Sequence, residues 1–354
     1  MTSSPDATSY VIRPYRVGDE TGLVELFQRA YGRPITVEHW RWKLKGQASA
    51  VENVWLAVSG DKPVFQYAGI PTRFQLGQSP ANIMVSVDTM TAPEFRRRGL
   101  LTRVAGHVYA GWRESGISFV IGLPNEQWGS RTGALGWRRL FPLQWLVRPL
   151  RPEAIIADKL KFPALKYATA PAWLWNRVLS RRVRRDPAIQ IEPLRYANDA
   201  FDVIWENCKS DWMFSTVRDR EWVNWRFLTS PARAYELMIA WRAGKPVGYS
   251  AHTLVESEQR TVAYLVDLFA ARTDHATRDT LLCELIAKLR TTQAVALCTL
   301  AVPRTPCFQW LRRAGFFPRH AFSLEMVPMS AHLSTNLLQD PNNWNLTGAD
   351  FDVV

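Results

Sequence analysis

Leu101, Val104, Ala105 and Val108 recur at helical spacing, a pattern that predicts a helix over Leu100–Glu114. The periods change on either side of it. Tyr10–Arg16 reads as a strand and Asp19–Tyr31 as an amphipathic helix, and a short helix carries Trp40 and Trp42. Val54–Ser59 and Val64–Ile70 read as strands hinged at Gly60-Asp61-Lys62, and Asn82–Thr91 as a further strand. Ile117–Leu123 is an apolar, β-rich run of the kind a buried strand shows. A helix near Glu126–Leu135 ends at Gly136, and Trp137–Val147 supplies the final strands.

The pattern then repeats. Ile12 and Pro14 match Ile191 and Pro193 at a spacing of 179, and Val87-Asp88, Pro124 and Gly136 match Val266-Asp267, Pro303 and Gly315 at the same spacing. Lys62-Pro63-Val64 matches Lys245-Pro246-Val247, and Trp40-Arg41 matches Trp225-Arg226, with the drift that loop insertions produce. The common order predicts a duplicated α/β unit, with a period too long for a solenoid. The expected division is 10–148, a linker over 149–188, a second unit over 189–328, and a polar, partly ordered tail over 329–354.

A chain of 354 residues with 47% hydrophobic and 21% charged positions has material for a core in each unit. The net charge of +12 is unevenly spread, since ten basic and two acidic residues fall between Arg148 and Arg185. Such a stretch is either a solvated linker or a contact for an anionic partner. Read as a helix from Pro171, it sets Leu174, Trp175, Val178 and Leu179 on one face and Arg181, Arg182, Arg184 and Arg185 at its end. That face either packs between the units or gives a weak, reversible contact with anionic membrane through 171–185. The four cysteines, Cys208, Cys283, Cys298 and Cys307, form no CxxC pair, and the six histidines form no HxH or HExxH. No zinc site, other metal site or disulfide framework is expected. No run is long enough to span a bilayer, and Met1–Tyr10 lacks an apolar signal core, so a cytoplasmic protein is expected.

One segment carries chemistry: Thr91-Ala92-Pro93-Glu94-Phe95-Arg96-Arg97-Arg98-Gly99-Leu100-Leu101, entered by a strand and left by a helix. Its turn can aim consecutive backbone N–H groups, at the positive end of the helix dipole, toward a pyrophosphate. Gly99 removes a side chain there, and Arg96, Arg97 and Arg98 add positive charge.

With Arg96 and Gly99 in place, and Pro93-Glu94-Phe95 before them, the segment resembles the acyl-CoA loop of the GNAT N-acetyltransferase superfamily. The family's last small position is Leu101 here. The stretch from Leu123-Pro124-Asn125 to Gly136-Trp137 is similar to the family's second cofactor motif. The resemblance implies a mixed-sheet α/β GNAT fold in two tandem units joined by a basic helical linker. It also implies acetyl-CoA, or another acyl-CoA, as co-substrate, held by Thr89, Met90, Thr91, Arg96, Arg97, Arg98, Gly99, Leu100, Leu101 and Asn125. In that fold the strand around Thr89–Thr91 splays from the strand ending near Leu123, admits pantetheine, and offers a backbone N–H to the developing oxyanion. The tyrosine that protonates the leaving thiolate in many relatives is Thr132 here, with Ser130 as a candidate substitute. Asp88 is either the general base or a structural carboxylate, as its counterpart Asp267 suggests.

In the second unit the loop becomes Arg272–Thr280, where Thr277-Arg278-Asp279 replaces Arg98-Gly99-Leu100, and Asp274 and Asp279 would repel a phosphate. One cofactor loop is therefore expected per chain. The expected function is transfer of an acetyl or short acyl group to an amine, a small molecule or amino sugar, with no specific nucleic-acid partner. Two alternatives stay open: an aminoacyl-tRNA-dependent Fem-like transferase, and a non-catalytic acyl-CoA-binding regulatory protein.

Overall fold

The structure is a computed structural model that describes residues 9–124, 131–159, 183–257, 260–330 and 334–352. The proposed helix at 171–185 lies outside the described residues except for its last three positions. The chain divides into two compact units, Met1–Phe141 with Ser323–Gln339, and Pro142–Phe322 with Asp340–Val354.

In the first unit the strands are β1 (Val11–Pro14), β2 (Val54–Ser59), β3 (Lys62–Leu76), β4 (Ser79–Thr91) and β5 (Phe119–Gly122). The helices are α1 (Glu20–Tyr31), α2 (Val37–Lys45), α3 (Leu100–Glu114) and α4 (Arg131–Ala134). Strands β1 to β4 pair antiparallel in order, and β4 pairs parallel with β5. The hairpin at Gly60 turns through φ 58, a left-handed value that glycine adopts without strain. Helix α1 buries Leu23, Leu26 and Phe27 and stops at Gly32 in the left-handed region; α2 starts at Thr36, whose side chain accepts from the His39 N–H. Neighbouring residues of β3 point to opposite faces. Gln66 meets Trp40 of α2, while Tyr67 meets Tyr109 and Trp112 of α3. The two helical layers therefore cover opposite faces of this sheet.

The second unit holds, in order, β7 (Ile189–Leu194), α6 (Ala200–Cys208), β8 (Phe214–Thr216), α7 (Arg220–Val223), β9 (Glu236–Arg242), β10 (Lys245–Glu256), β11 (Thr261–Ala270), α8 (His275–Leu289), β12 (Ala294–Ala301) and α9 (Pro306–Arg313). It also holds α5 (Pro152–Lys159). Strands β7, β9, β10 and β11 pair antiparallel in that order, and β11 pairs parallel with β12. A core around Leu265, Leu281, Leu285, Leu297 and Leu311 lies on one side. A second core, around Phe201, Trp222, Tyr249 and Phe269, reaches Ala349 near the chain's end.

The strand following each β5-type strand is not the one that chain order suggests. Strand β6 (Arg138–Pro149) and strand β13 (Phe317–Pro328) each cross the boundary between units. In the first unit β5 pairs with Glu325–Pro328 of β13. In the second, β12 pairs with Gln144–Pro149 of β6. Alternation of apolar residues fixes which face of a strand is buried; it does not say which strand lies alongside.

The last segment also departs from expectation. Trp344, Leu346, Ala349 and Phe351 are buried, β14 (Trp344–Asn345) pairs with β8, and Thr347 with Asp350 makes a reciprocal capping box. Its polar residues serve as caps and ion-pair partners, which composition alone reads as solvation.

Candidate functional site

Strand β4 carries an irregularity where the chemistry was expected. Its register against β3 shifts between Gln66 and Ala68, whose partners are Met90 and Val87, so Asp88 and Thr89 together oppose Tyr67. Asp88 takes φ 47, in the left-handed region that few residues other than glycine adopt. Side chains from three elements hold it. Gln66 donates from Nε2 to the Asp88 carbonyl at 3.0 Å, and Tyr31 donates from its hydroxyl to the Thr89 carbonyl at 3.0 Å. Lys43 Nζ lies 2.6 Å from Asp88 Oδ2. On the other side of β4, pairing with β5 covers Met84 with Val120 and Val85 with Ile121, and among the described residues it extends no farther. Ser86 still lies beside Gly122, where a built Cβ would come within 3.5 Å of it.

The loop following β4 forms a 3₁₀ turn at Pro93–Phe95 and then takes positive φ at Arg97 (64) and Gly99 (73). Alternating backbone sign of this kind curls successive N–H groups into a concave nest. Gly99 is the N-cap of α3, and no side chain caps that helix. A Cβ built on Gly99 would meet nothing within 4 Å, so the first turn of α3 opens onto free space. Arg96, Arg97 and Arg98 are exposed around it, with Arg98 stacked 4.9 Å from the centre of the Phe95 ring. Glu94 is drawn away into an exposed pair with Arg29 at 2.6 Å.

These elements enclose a cavity of about 770 Å³, within the size range of small-molecule sites. Nine of the ten residues expected to hold the cofactor line it: Thr89, Met90, Thr91, Arg96, Arg97, Arg98, Gly99, Leu100 and Leu101. Asn125 and the candidate acid Ser130 lie outside the described residues. Asp88 is adjacent but does not line the cavity, and its carboxylate is half of the pair with Lys43. Sequence reasoning missed Tyr31, Gln66, Trp40 and Lys43. In the sequence pattern Trp40 stands only as a helix position and a repeat match, and nothing sets Lys43 apart from a solvated helical lysine.

The places in the second unit that the sequence spacing aligns with this loop are filled by the chain itself. Asp274 caps α8, accepting from the Thr277 N–H at 3.1 Å, and Arg242 reaches both its oxygens at 2.9 Å. Burial pushes the Asp274 pKa up, but the bonds from Arg242 and Thr277 outweigh it and hold the carboxylate below its ordinary range. Asp279 accepts from Trp310 Nε1 at 2.6 Å. Strands β11 and β12 pair from Thr261 to Tyr264, and the residues beyond are met by the chain's own 344–350 segment. Gly348 packs so that a Cβ would come 3.4 Å from the Val266 carbonyl. Asp267, which the sequence spacing sets against Asp88, is completely enclosed: Arg218 Nε donates to it at 3.0 Å, Tyr249 at 2.7 Å and Thr347 at 3.0 Å. Arg218 also binds Asp350 at 2.7 Å. Its pKa is lowered by burial but raised further by these two carboxylates, for a net rise. The space left beside β11 and β12 is about 60 Å³, too small for a cofactor arm.

Residues 11–139 match the family profile described as an acetyltransferase (GNAT) domain. The matched stretch contains the strand bulge and the open helix terminus described above. Among curated proteins, no relative matches the sequence. Solved structures with the same fold include a GCN5-related N-acetyltransferase from Anabaena variabilis, with 12% identity, a TM-score of 0.66, and coverage of 91% of this chain and 73% of that one. Another is a conserved protein of unknown function from Enterococcus faecalis, described as a probable N-acyltransferase, at 10% identity, TM-score 0.64, and coverage of 90% and 72%. A GCN5-related N-acetyltransferase from Kribbella flavida aligns at 14% identity, TM-score 0.59, and coverage of 91% and 72%. At such identities the likeness is one of fold. No helix among the described residues is long and apolar enough to cross a membrane, and those residues contain no group of three or more metal-ligating side chains.

Proposed function

We propose that the protein is an acyl-CoA-dependent N-acyltransferase with one cofactor site per chain, in the first unit. The observation that carries this reading is the uncapped N-terminus of α3 opening, through Gly99, onto a cavity lined by three arginines. Backbone N–H groups there would bind a pyrophosphate, and Arg96, Arg97 and Arg98 would balance its charge. The cavity along Thr89, Met90 and Thr91 would receive the pantetheine arm and bring a thioester beside Thr89. The substrate would be an acetyl or short acyl thioester and the acceptor an amine, a small molecule or amino sugar.

In the transfer, the amine lone pair forms the N–C bond while the carbonyl electrons move onto oxygen. Collapse breaks the C–S bond; nitrogen gives up one proton and sulfur takes one, leaving an amide and the free coenzyme thiol. The chain's part is to position the reactants and to present an N–H to the developing oxyanion. Asp88 keeps a structural role in this account, because its charge is matched by Lys43 and it stands outside the cavity wall. The second unit is read as a degenerate GNAT copy whose cofactor cleft is closed by the 344–350 segment.

Thiol release from acetyl-CoA, followed with a panel of small amines and amino sugars, tests the proposal. Turnover with at least one amine supports it. Saturable binding with no turnover for any amine supports a regulatory acyl-CoA-binding protein instead.

A further inference from the structure

The bulge in β4 is oriented by a relay that begins on a different element. Trp40 of α2 is fully buried, and its Nε1 donates to Gln66 Oε1 at 3.1 Å. An indole N–H can only donate, so it must face the amide oxygen of Gln66 and never the amide nitrogen. That fixes which way round the buried Gln66 amide sits. Its Nε2 is left to donate to the Asp88 carbonyl, 3.0 Å away.

The carbonyl of Asp88 and the N–H of Thr89 belong to one planar trans peptide and point in opposite directions. Holding the carbonyl toward β3 turns the Thr89 N–H away from β3, to the side where no pairing with β5 is described and where Thr89 lines the cavity. Tyr31 takes the next carbonyl, that of Thr89, at 3.0 Å. Asp88 stays in the left-handed region at φ 47, a conformation that persists only where its surroundings enforce it.

We infer that Trp40 and Gln66 are positioning residues, which through the Asp88 carbonyl aim the Thr89 amide N–H at the oxygen of the bound acyl group. The inference rests on the acyl-transfer reading for what the N–H meets, and on the hydrogen bonds alone for how it is aimed. Neither side chain lines the cavity. They act on the reaction rate and leave the pyrophosphate loop untouched.

Two variants test this. Gln66→Glu keeps the shape but puts a carboxylate, which only accepts, against the Asp88 carbonyl. Trp40→Phe keeps an aromatic ring and frees the Gln66 amide to flip. The expected result is an acetyl-CoA Kd by calorimetry within about twofold of the parent for both. Turnover, read as amine-dependent or basal thiol release, should fall on the order of 10²-fold for Gln66→Glu, the scale for losing one oxyanion donor, and less for Trp40→Phe. Turnover unchanged in a folded, binding Gln66→Glu protein overturns the inference, as does a loss of rate that only tracks a loss of affinity. A ligand-free arm separates this from the acyl-transfer reading. In NMR spectra of labelled protein, the Asp88 carbonyl carbon and the Thr89 amide should shift in both variants while Gly99 and Leu101 stay in place. If they do not move, the relay is wrong whatever the enzyme transfers; if they move and the parent binds no acyl-CoA, the acyl-transfer reading is what fails.

Discussion

Lys43 and Asp88 meet at 2.6 Å with side chains only 2% and 8% exposed, joining helix α2 to the bulge of β4. Removing one member of such a pair strands the other charge in a medium that solvates it poorly. Lys43→Met is expected to destabilise the first unit by about 3–5 kcal/mol. Adding Asp88→Asn to Lys43→Met should recover much of that loss, because no unpaired charge remains. Urea denaturation of the parent, the single and the double variants checks this. A double variant as unstable as Lys43→Met alone would show that the ion pair is not the stabilising contact.

Gly99 has two separate reasons to be glycine. Its φ of 73 is costly for a residue with a Cβ, about 1–2 kcal/mol, and the space in front of it is where a ligand would approach. Gly99→Ala should therefore lose about that much stability and weaken acetyl-CoA binding. Gly99→Glu should abolish binding while leaving a folded protein. Thermal unfolding and calorimetry on the two variants separate strain from charge.

Much of this site was legible in the sequence because it rests on local rules. Helix α3 follows the spacing of its apolar residues, β2 its short apolar run, and the Arg96–Gly99 loop a motif whose arginine and glycine each have a physical reason. What stayed hidden is non-local. The pairing of β5 with β13 and of β12 with β6 leaves no trace in alternation, since either partner buries the same face. The 340–352 segment looks like a solvated tail, because Thr347 and Asp350 show their worth only beside Arg218. Lys43 and Gln66 are polar residues at positions that propensity assigns to solvent or to an edge, and only the fold buries them.

The ion triad in the second unit makes the chain's last segment a structural part of it. Arg218, fully buried, binds Asp267 and Asp350 together, and Arg226 donates to the carbonyls of Ala349 at 2.9 Å and Phe351 at 3.3 Å. Ending the chain after Gln339 removes Asp350 and both carbonyls and exposes the walls of the β11–β12 gap. A drop in the midpoint of thermal unfolding is expected, along with binding of an apolar dye that the parent does not bind. The substitution Asp350→Asn should reproduce part of the drop with the segment still present. An unchanged midpoint in the truncated chain would mean that the segment packs without stabilising.

Acid should weaken the first unit through Glu20. Burial acts to raise its pKa, but hydrogen bonds from Tyr15, its own backbone N–H, Arg41 and the Gly18 N–H win and hold it at about 2, against 4.5 for an unperturbed glutamate. The folded value lies below the unfolded one, so the stabilisation is complete above about pH 4.5 and is lost as pH falls toward 2. The variant Glu20→Gln should be less stable than the parent at pH 7 and should show a shallower decline between pH 4.5 and 2. Denaturation midpoints across that range read the difference. Parallel curves would remove Glu20 from the account.

The central claim is that one unit keeps an open cofactor site and the other closes its own. Titrating the intact chain with acetyl-CoA in a calorimeter, with native mass spectrometry to count bound molecules, tests it most directly. The account predicts one molecule per chain, lost in Gly99→Glu and retained when Arg278 of the second loop is changed to Glu. Two molecules per chain, or binding that survives Gly99→Glu and disappears with Arg278→Glu, would contradict it.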